Sequence, residues 1–384
     1  MRRRAFLQAI GSAALMPAFA RATEGDPRLI DTLDLAGAPG VAIGVVHAGR
    51  IVAIEGRGRR GPADVHTPGP DTVFEIGSLT KTFTAGLIAV LASEGRLDID
   101  APIGRYVDDL PHAWRDRRLA ALLSHTGGLP EYLDAGNFRT LMPQALTPRE
   151  IVAIAAARPV VFAAGTRHAY NNTGYVLLGM AAEAVGGASF WSQLRARFFA
   201  PAGMTRTGPR TTVRDDGDVA CGRFWDGAAW DDSPPLAAPG ATFSAGGLVS
   251  TAHDLARWAV ALDAGQILAP ALRARMWRPA HLVDGTPIDW GLGWKIEGTG
   301  ENPVVAHGGG TAGFSCWLRR DIAAGLTTIA LTNQNGRADP ATMTDALLRT
   351  LATRGVVRAR SATPEFPAPM QTARMRGPLQ EHRR

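Results

Sequence analysis

The chain has 384 residues, 46% of them apolar and 20% charged, with a formal net charge of +6 at pH 7; a body of this length and balance can bury a large core, as one compound domain or two. The charge sits at the ends: residues 1–22 carry four arginines, residues 356–384 carry six against Glu365 and Glu381, and the body between is left at −2. A weakly acidic body with no basic stripe argues against nucleic-acid binding, and two cysteines, Cys221 and Cys316, are too few for a disulfide scaffold and lack metal-ligand spacing, although one exported disulfide stays open.

In chain order, Arg2, Arg3 and Arg4, an apolar stretch from Ala9 to Ala20 and small residues at Ala18, Ala20 and Ala22 make an export signal over 1–22, with a twin-arginine opening at Arg3-Arg4-Ala5-Phe6-Leu7. The apolar stretch is shorter than the ~20 residues of a spanning helix. It therefore predicts a periplasmic or secreted protein with no stable membrane span once the signal is removed. Apolar runs Val41 to Val46 and Ile51 to Glu55 flank His47-Ala48-Gly49-Arg50 and predict an antiparallel hairpin. A strongly apolar helix follows from Phe83 through Leu91 and stops at Gly95. Thr147-Pro148-Arg149-Glu150 is a capping box opening a helix through Ala157. Tyr175 to Val185 and Phe190 to Phe199 are further helices, and Thr251 opens one through Leu262. Segments 62–70 and 234–247 read as loops. Val304 to His307, Phe314 to Leu318 and Leu326 to Leu331 are strands, and Ala341 to Ala352 is a covering helix.

These elements predict an α/β (α+β) fold: an antiparallel sheet built from both termini and flanked by helices, with a large mostly helical insertion. The expected division is 23–60 with 290–355 for the sheet region, 61–289 for the helical region, and 356–384 as a disordered basic tail.

The chemistry-bearing motif is Ser78-Leu79-Thr80-Lys81 at the start of the helix through Leu91. Three residues are nearly one helical turn, so Lys81 rises on the face of Ser78 and its amine can reach the hydroxyl. A serine hydroxyl needs a neighbouring base to become a nucleophile, and a helix N-terminus adds a field favouring negative charge. The chain has only two lysines, Lys81 and Lys295, among 41 Lys and Arg residues, so a cation that merely had to be present at 81 would be arginine. Lysine differs because its pKa can be pushed down by burial.

Tyr170-Asn171-Asn172 falls on a loop at a helix start, and His307-Gly308-Gly309-Gly310 ends an apolar strand where glycines let backbone approach a ligand. Asn172 could also be a plain helix cap. In the order Ser-x-x-Lys, Tyr-x-Asn, His-x-Gly, joined by Leu122-Leu123-Ser124-His125-Thr126-Gly127-Gly128-Leu129, Gly247-Leu248-Val249-Ser250-Thr251 and Gly291-Leu292-Gly293-Trp294, the chain resembles the β-lactamase-related serine hydrolases over about 35–350. This superfamily includes class C β-lactamases, D-alanyl-D-alanine carboxypeptidases, D-amino-acid peptidases and β-lactamase-like esterases. The resemblance implies an α/β sandwich beside an all-helical region with Ser78 in the cleft between them. It implies an acyl-enzyme on Ser78, with proton transfer shared by Lys81 and Tyr170. Asn172 would bind the substrate's amide side, and Ser78 and Gly310, after His307 and Gly309, would supply oxyanion N–H groups. It implies a small-molecule or short-peptide substrate and no cofactor; His125 is left structural.

One departure is histidine at 307, where class C β-lactamases usually carry lysine. Without a fixed cation for a carboxylate, the expectation moves from antibiotics toward peptides or esters. The nine histidines form no His-x-x-x-His zinc motif. A lipase of the α/β-hydrolase type shares the His-Gly-Gly-Gly run, but its Gly-x-Ser-x-Gly elbow does not follow. A scaffold that keeps the fold to hold cell-wall peptides without turnover is the remaining alternative, and the intact Ser78, Lys81 and Tyr170 speak against it.

Overall fold

The structure, a computed structural model, describes residues 27–134, 136–213, 216–232, 238–298 and 303–357. The export signal expected over 1–22 and nearly all of the tail expected over 356–384 lie outside the described residues.

The two ends of the chain build one sheet. Strands β1 (Gly40–His47), β2 (Arg50–Gly58), β3 (Lys295–Glu297), β4 (Val304–Gly310), β5 (Ser315–Asp321) and β6 (Leu326–Thr332) pair in the order β2-β1-β6-β5-β4-β3, antiparallel throughout. The predicted hairpin is present: His47 pairs with Arg50, and Ala48 and Gly49 between them both have positive φ, 50° and 72°, as a two-residue turn matched to the strand twist requires. β1 then pairs with β6, Val41 opposite Thr332 and His47 opposite Leu326, which joins the first strand to the last.

β1 has no polar face because both of its faces are covered. Val41, Ile43 and Val45 share an apolar cluster with Met343, Leu347 and Leu351, spaced one turn apart on helix Pro340–Thr353. Ala42 and Val46 share the larger cluster with Leu255, Ala256 and Ala259 of helix Ala252–Asp263. A strand buried on both sides reads as a continuous apolar run rather than an alternation.

The helical body centres on Thr80–Ser93, here α1, whose Phe83, Leu87, Ile88 and Leu91 are fully buried; a helix apolar all round belongs inside. It packs against Asn172–Gly186, here α2. The capping box before Pro148–Ala156 forms as expected, with Glu150 N–H donating to Thr147 Oγ1 at 3.2 Å and Thr147 N–H to Glu150 Oε2 at 2.7 Å.

The region expected to be mostly helical also carries short strands. It contains a small sheet of Phe74–Glu75, Gly208–Pro209 and Leu248–Ser250, and contributes Arg223–Trp225 and Trp230–Asp231 to another with Gln334–Asn335. Strands of two or three residues carry no period for a sequence to display. The helix expected over 190–199 is α-helical only over Phe190–Leu194 and then widens to a π turn over Arg195–Phe199. Cys221 and Cys316 are free thiols; the buried Cys316 donates its Sγ–H to the Ile76 carbonyl at 3.3 Å.

Candidate active site

Strand Phe74–Glu75 delivers the chain into a 3₁₀ turn, Gly77–Leu79, that runs directly into α1, so Ser78 stands just before the N-cap residue Leu79 rather than in the first turn of the α-helix. Ser78 is half-buried and Lys81 is completely buried. As the three-residue spacing predicts, Lys81 Nζ lies 3.0 Å from Ser78 Oγ. It also donates to Asn172 Oδ1 at 2.7 Å and to the Ala245 carbonyl at 2.7 Å.

These partners fix what a neutral amine can do. Asn172 Oδ1 and the Ala245 carbonyl only accept, so they take the two N–H bonds of a neutral amine and leave its lone pair for the Ser78 hydroxyl. Burial lowers the Lys81 pKa from 10.5 to about 7, with the Glu131 carboxylate pulling the other way. That displacement corresponds to about 5 kcal/mol of differential interaction, imposed by the fold on one side chain.

The Ala245 carbonyl arrives by a strained route. Segment 234–247, read as a loop, contains helix Pro239–Gly246, broken at Phe243 with φ 40° and ψ −128°. A non-glycine residue with positive φ is costly and marks a place where the surrounding structure overrides local preference. The break turns the Ser244 carbonyl onto Thr84 Oγ1, at 2.6 Å, and the Ala245 carbonyl onto Lys81.

The two adjacent asparagines divide their roles differently from the expectation. Asn171, not Asn172, caps α2: its backbone is extended and its Oδ1 accepts from Gly174 N–H at 2.7 Å. Asn172 is thereby the first helical residue and is free to face Lys81. Its own N–H donates to Glu131 Oε2 at 2.6 Å. Glu131, which the sequence did not single out, also accepts from Leu133 N–H at 3.0 Å, and burial raises its pKa. Nothing in its spacing distinguishes it from a surface carboxylate.

Tyr170 lies just before α2, its ring centroid 4.8 Å from Lys81 Nζ. Among the described residues its buried hydroxyl has no partner at hydrogen-bond geometry, and Ser78 is the neighbouring side chain that favours its ionised form. Burial outweighs that neighbour and raises the phenol's pKa, so it stays protonated at neutral pH. His307, on β4, is buried; its Nδ1 faces the Gly308 carbonyl at 2.6 Å and so carries the proton, and Nε2 is left an acceptor with no partner among the described residues. Burial first, and the Lys81 cation second, lower its pKa to about 3, so it is neutral at any physiological pH.

The glycines of β4 are there for close approach. A Cβ on Gly309 would sit 1.8 Å from the Ile76 carbonyl oxygen, and one on Gly77 would sit 2.8 Å from Gly310 N. The Gly310 backbone therefore lies against the residue preceding Ser78. Ser78, Lys81, Tyr170, Asn172, His307, Gly309 and Gly310 thus converge from the 3₁₀ turn before α1, the first turn of α1, the loop before α2 and its first residue, and the end of β4. An open depression of about 680 Å³ lined by Asp109, Pro111 and Arg149 shares no residue with this cluster.

The Beta-lactamase family model matches residues 28–352. The chain belongs to the Beta-lactamase family. Within that family, it is 28% identical to penicillin-binding protein 4 of Amycolatopsis lactamdurans, over 88% of each chain. It is 27% identical to penicillin-binding protein 4* of Bacillus subtilis (strain 168), covering 69% of this chain and 61% of that one. It is 25% identical to a D-aminopeptidase of Brucella canis, covering 79% of this chain and 58% of that one. The chain thus spans only about three fifths of the Bacillus and Brucella relatives. Among solved structures of the Beta-lactamase fold, D-amino acid amidase from Ochrobactrum anthropi SV3, complexed with L-phenylalanine, superposes with a TM-score of 0.73 at 26% identity. That match covers 85% of this chain and 99% of the amidase. The octameric penicillin-binding protein homologue from Pyrococcus abyssi superposes with a TM-score of 0.72 at 26% identity, over 85% of this chain and 76% of that one.

Proposed function

We propose that the chain is an active-site-serine hydrolase that opens amide bonds of small D-configured substrates through an acyl-enzyme on Ser78. The observation carrying this reading is the fully buried Lys81 amine, 3.0 Å from Ser78 Oγ, with acceptor-only partners on its other side.

In this reading, Lys81 removes the proton from Ser78 as Oγ attacks the carbonyl carbon, and the N–H groups of Ser78 and Gly310 hold the developing oxyanion. Tyr170, a neutral phenol, delivers a proton to the departing amine and recovers one from the Lys81 ammonium; the neutral amine so restored takes a proton from the water that attacks the acyl carbon, and that proton returns to Ser78 Oγ as the acid leaves. Asn172 keeps Lys81 aimed and offers its amide to the substrate. The amide class is supported by the D-aminopeptidase and D-amino acid amidase relatives. A neutral acceptor at His307 favours a leaving group that donates a hydrogen bond over one that carries a carboxylate. The signal over 1–22 would place this activity in the periplasm or outside the cell.

The test is a panel of D-amino-acid amides, a D-Ala-D-Ala peptide, short p-nitrophenyl esters and nitrocefin, run on wild type and Ser78→Ala. Hydrolysis led by the D-amino-acid amides, a fluorophosphonate adduct on Ser78 by intact mass, and loss of both in the variant are expected. Undiminished turnover by Ser78→Ala would end the proposal.

The rate of Ser78 labelling should also depend on pH. The neutral amine is the active form, so the rate rises with pH through a midpoint near 7, the Lys81 value. The charge of Glu131 stabilises the ammonium; Glu131→Gln removes that charge and lets Lys81 lose its proton at lower pH. The acid limb should therefore move down, and a limb that stays in place or moves up rejects the coupling.

A further inference from the structure

Tyr170 is asked to deliver a proton, yet among the described residues its hydroxyl has no partner at hydrogen-bond geometry to hold it in place. It sits on the loop before α2. Its aim must come from its backbone and its ring. Both lead to His125.

The His125 carbonyl accepts from Ala169 N–H at 3.0 Å, and His125 Nδ1 accepts from Asn171 N–H at 3.1 Å. The residues on either side of Tyr170 are thus tied to one histidine, by main chain and by side chain. The imidazole lies against the phenol between those ties, ring centroids 4.3 Å apart and planes 33° from parallel. Tyr175, whose hydroxyl donates to the Leu123 carbonyl at 2.7 Å, backs the imidazole with its ring 5.1 Å away. His125 holds this place with φ 58°, a left-handed conformation that histidine, like asparagine and aspartate, adopts more readily than other non-glycine residues, and it is almost completely buried. Because Nδ1 accepts, the ring proton is on Nε2; an imidazolium would turn an N–H against the Asn171 N–H and open the clamp. Burial and the nearby Lys81 keep the ring neutral.

We propose that His125 is the positioning residue of Tyr170, a three-point clamp that sets the direction of its hydroxyl toward Ser78. This rests on the reading of Tyr170 as proton donor to the leaving group. Misplacing a reacting group by about 1 Å costs on the order of 10²-fold in rate, so loosening the clamp should be visible in catalysis while the fold persists.

The experiment compares a D-amino-acid amide, whose leaving amine needs a proton, with a p-nitrophenyl ester, whose leaving phenolate does not. His125→Leu should lower kcat on the amide by about 10–100-fold with KM unchanged and lower kcat on the ester by less than about threefold. His125→Asn, which places an acceptor near the Nδ1 position and tolerates positive φ, should recover amide turnover to within about fivefold of wild type. His125→Gln, whose acceptor reaches one bond too far, should not, and this pair carries the test if the leucine variant does not fold. On a Tyr170→Phe background, His125→Leu should cost nothing further, since two residues acting as a unit are not additive. Equal losses on amide and ester, or full additivity with Tyr170→Phe, would overturn the clamp. Failure of the underlying hydrolase reading shows separately, as absence of a fluorophosphonate adduct on wild-type Ser78.

Discussion

Lys81→Arg is expected to slow acylation of Ser78 by about 10⁴-fold, the upper end of what a positioned general base contributes, even though the variant keeps a cation at the same point of the chain. The argument is about the proton, not the charge. Lysine at this position is lowered from 10.5 to about 7 because its amine is entirely enclosed, so much of it is neutral near pH 7 and nearly all at pH 9. A guanidinium does not surrender its proton in proteins and offers no lone pair to the Ser78 hydroxyl. Arginine is also larger, and overpacking the site is a second cause of loss, so Lys81→Met belongs beside it: an unbranched, flexible side chain with no base. Fluorophosphonate labelling followed by mass, across pH 6 to 9, separates the two causes. Both variants should label at the same residual rate without the rise through pH 7; acylation by either within tenfold of wild type would remove Lys81 from the chemistry.

Tyr170→Phe is the second large effect, and its signature is selectivity rather than size. Deleting one oxygen from a ring packed 4.3 Å from His125 leaves that packing intact, and among the described residues the oxygen has no partner at hydrogen-bond geometry, so stability should change by less than about 1 kcal/mol. Turnover of an amide should nevertheless fall by about 10² or more, because an amine cannot leave without a proton and the phenol, kept protonated by burial, is the donor facing Ser78. A p-nitrophenyl ester should be much less affected. A fall of under twofold on the amide would reduce Tyr170 to a packing role, and equal falls on both substrates would place its action in acylation by Lys81 instead.

Much of this protein was legible in the linear chain, for local reasons. Hairpin, capping box, apolar strands and the helix behind Ser78 are each written within a few consecutive residues, because turn chemistry, capping and periodicity are interactions between near neighbours. The Ser78–Lys81 pair belongs with them, since one helical turn sets its distance whatever surrounds it. The fold those elements predict, an antiparallel sheet built from both termini with a large mostly helical insertion, is the one observed.

What the chain alone left open depends on segments that meet only after folding. Which of Asn171 and Asn172 caps and which faces Lys81 was decided by the backbone at the start of α2. The Ala245 carbonyl, 164 residues from Lys81 in sequence, was invisible because it comes from a helix broken at a phenylalanine with left-handed φ. Glu131 and His125 gain their places by bonding α2 and the loop before it across more than 40 residues. The lowered pKa of Lys81 has the same origin: it measures how completely the folded body excludes water from one amine, and burial of that kind is a property of all the contacts together, written at no single position.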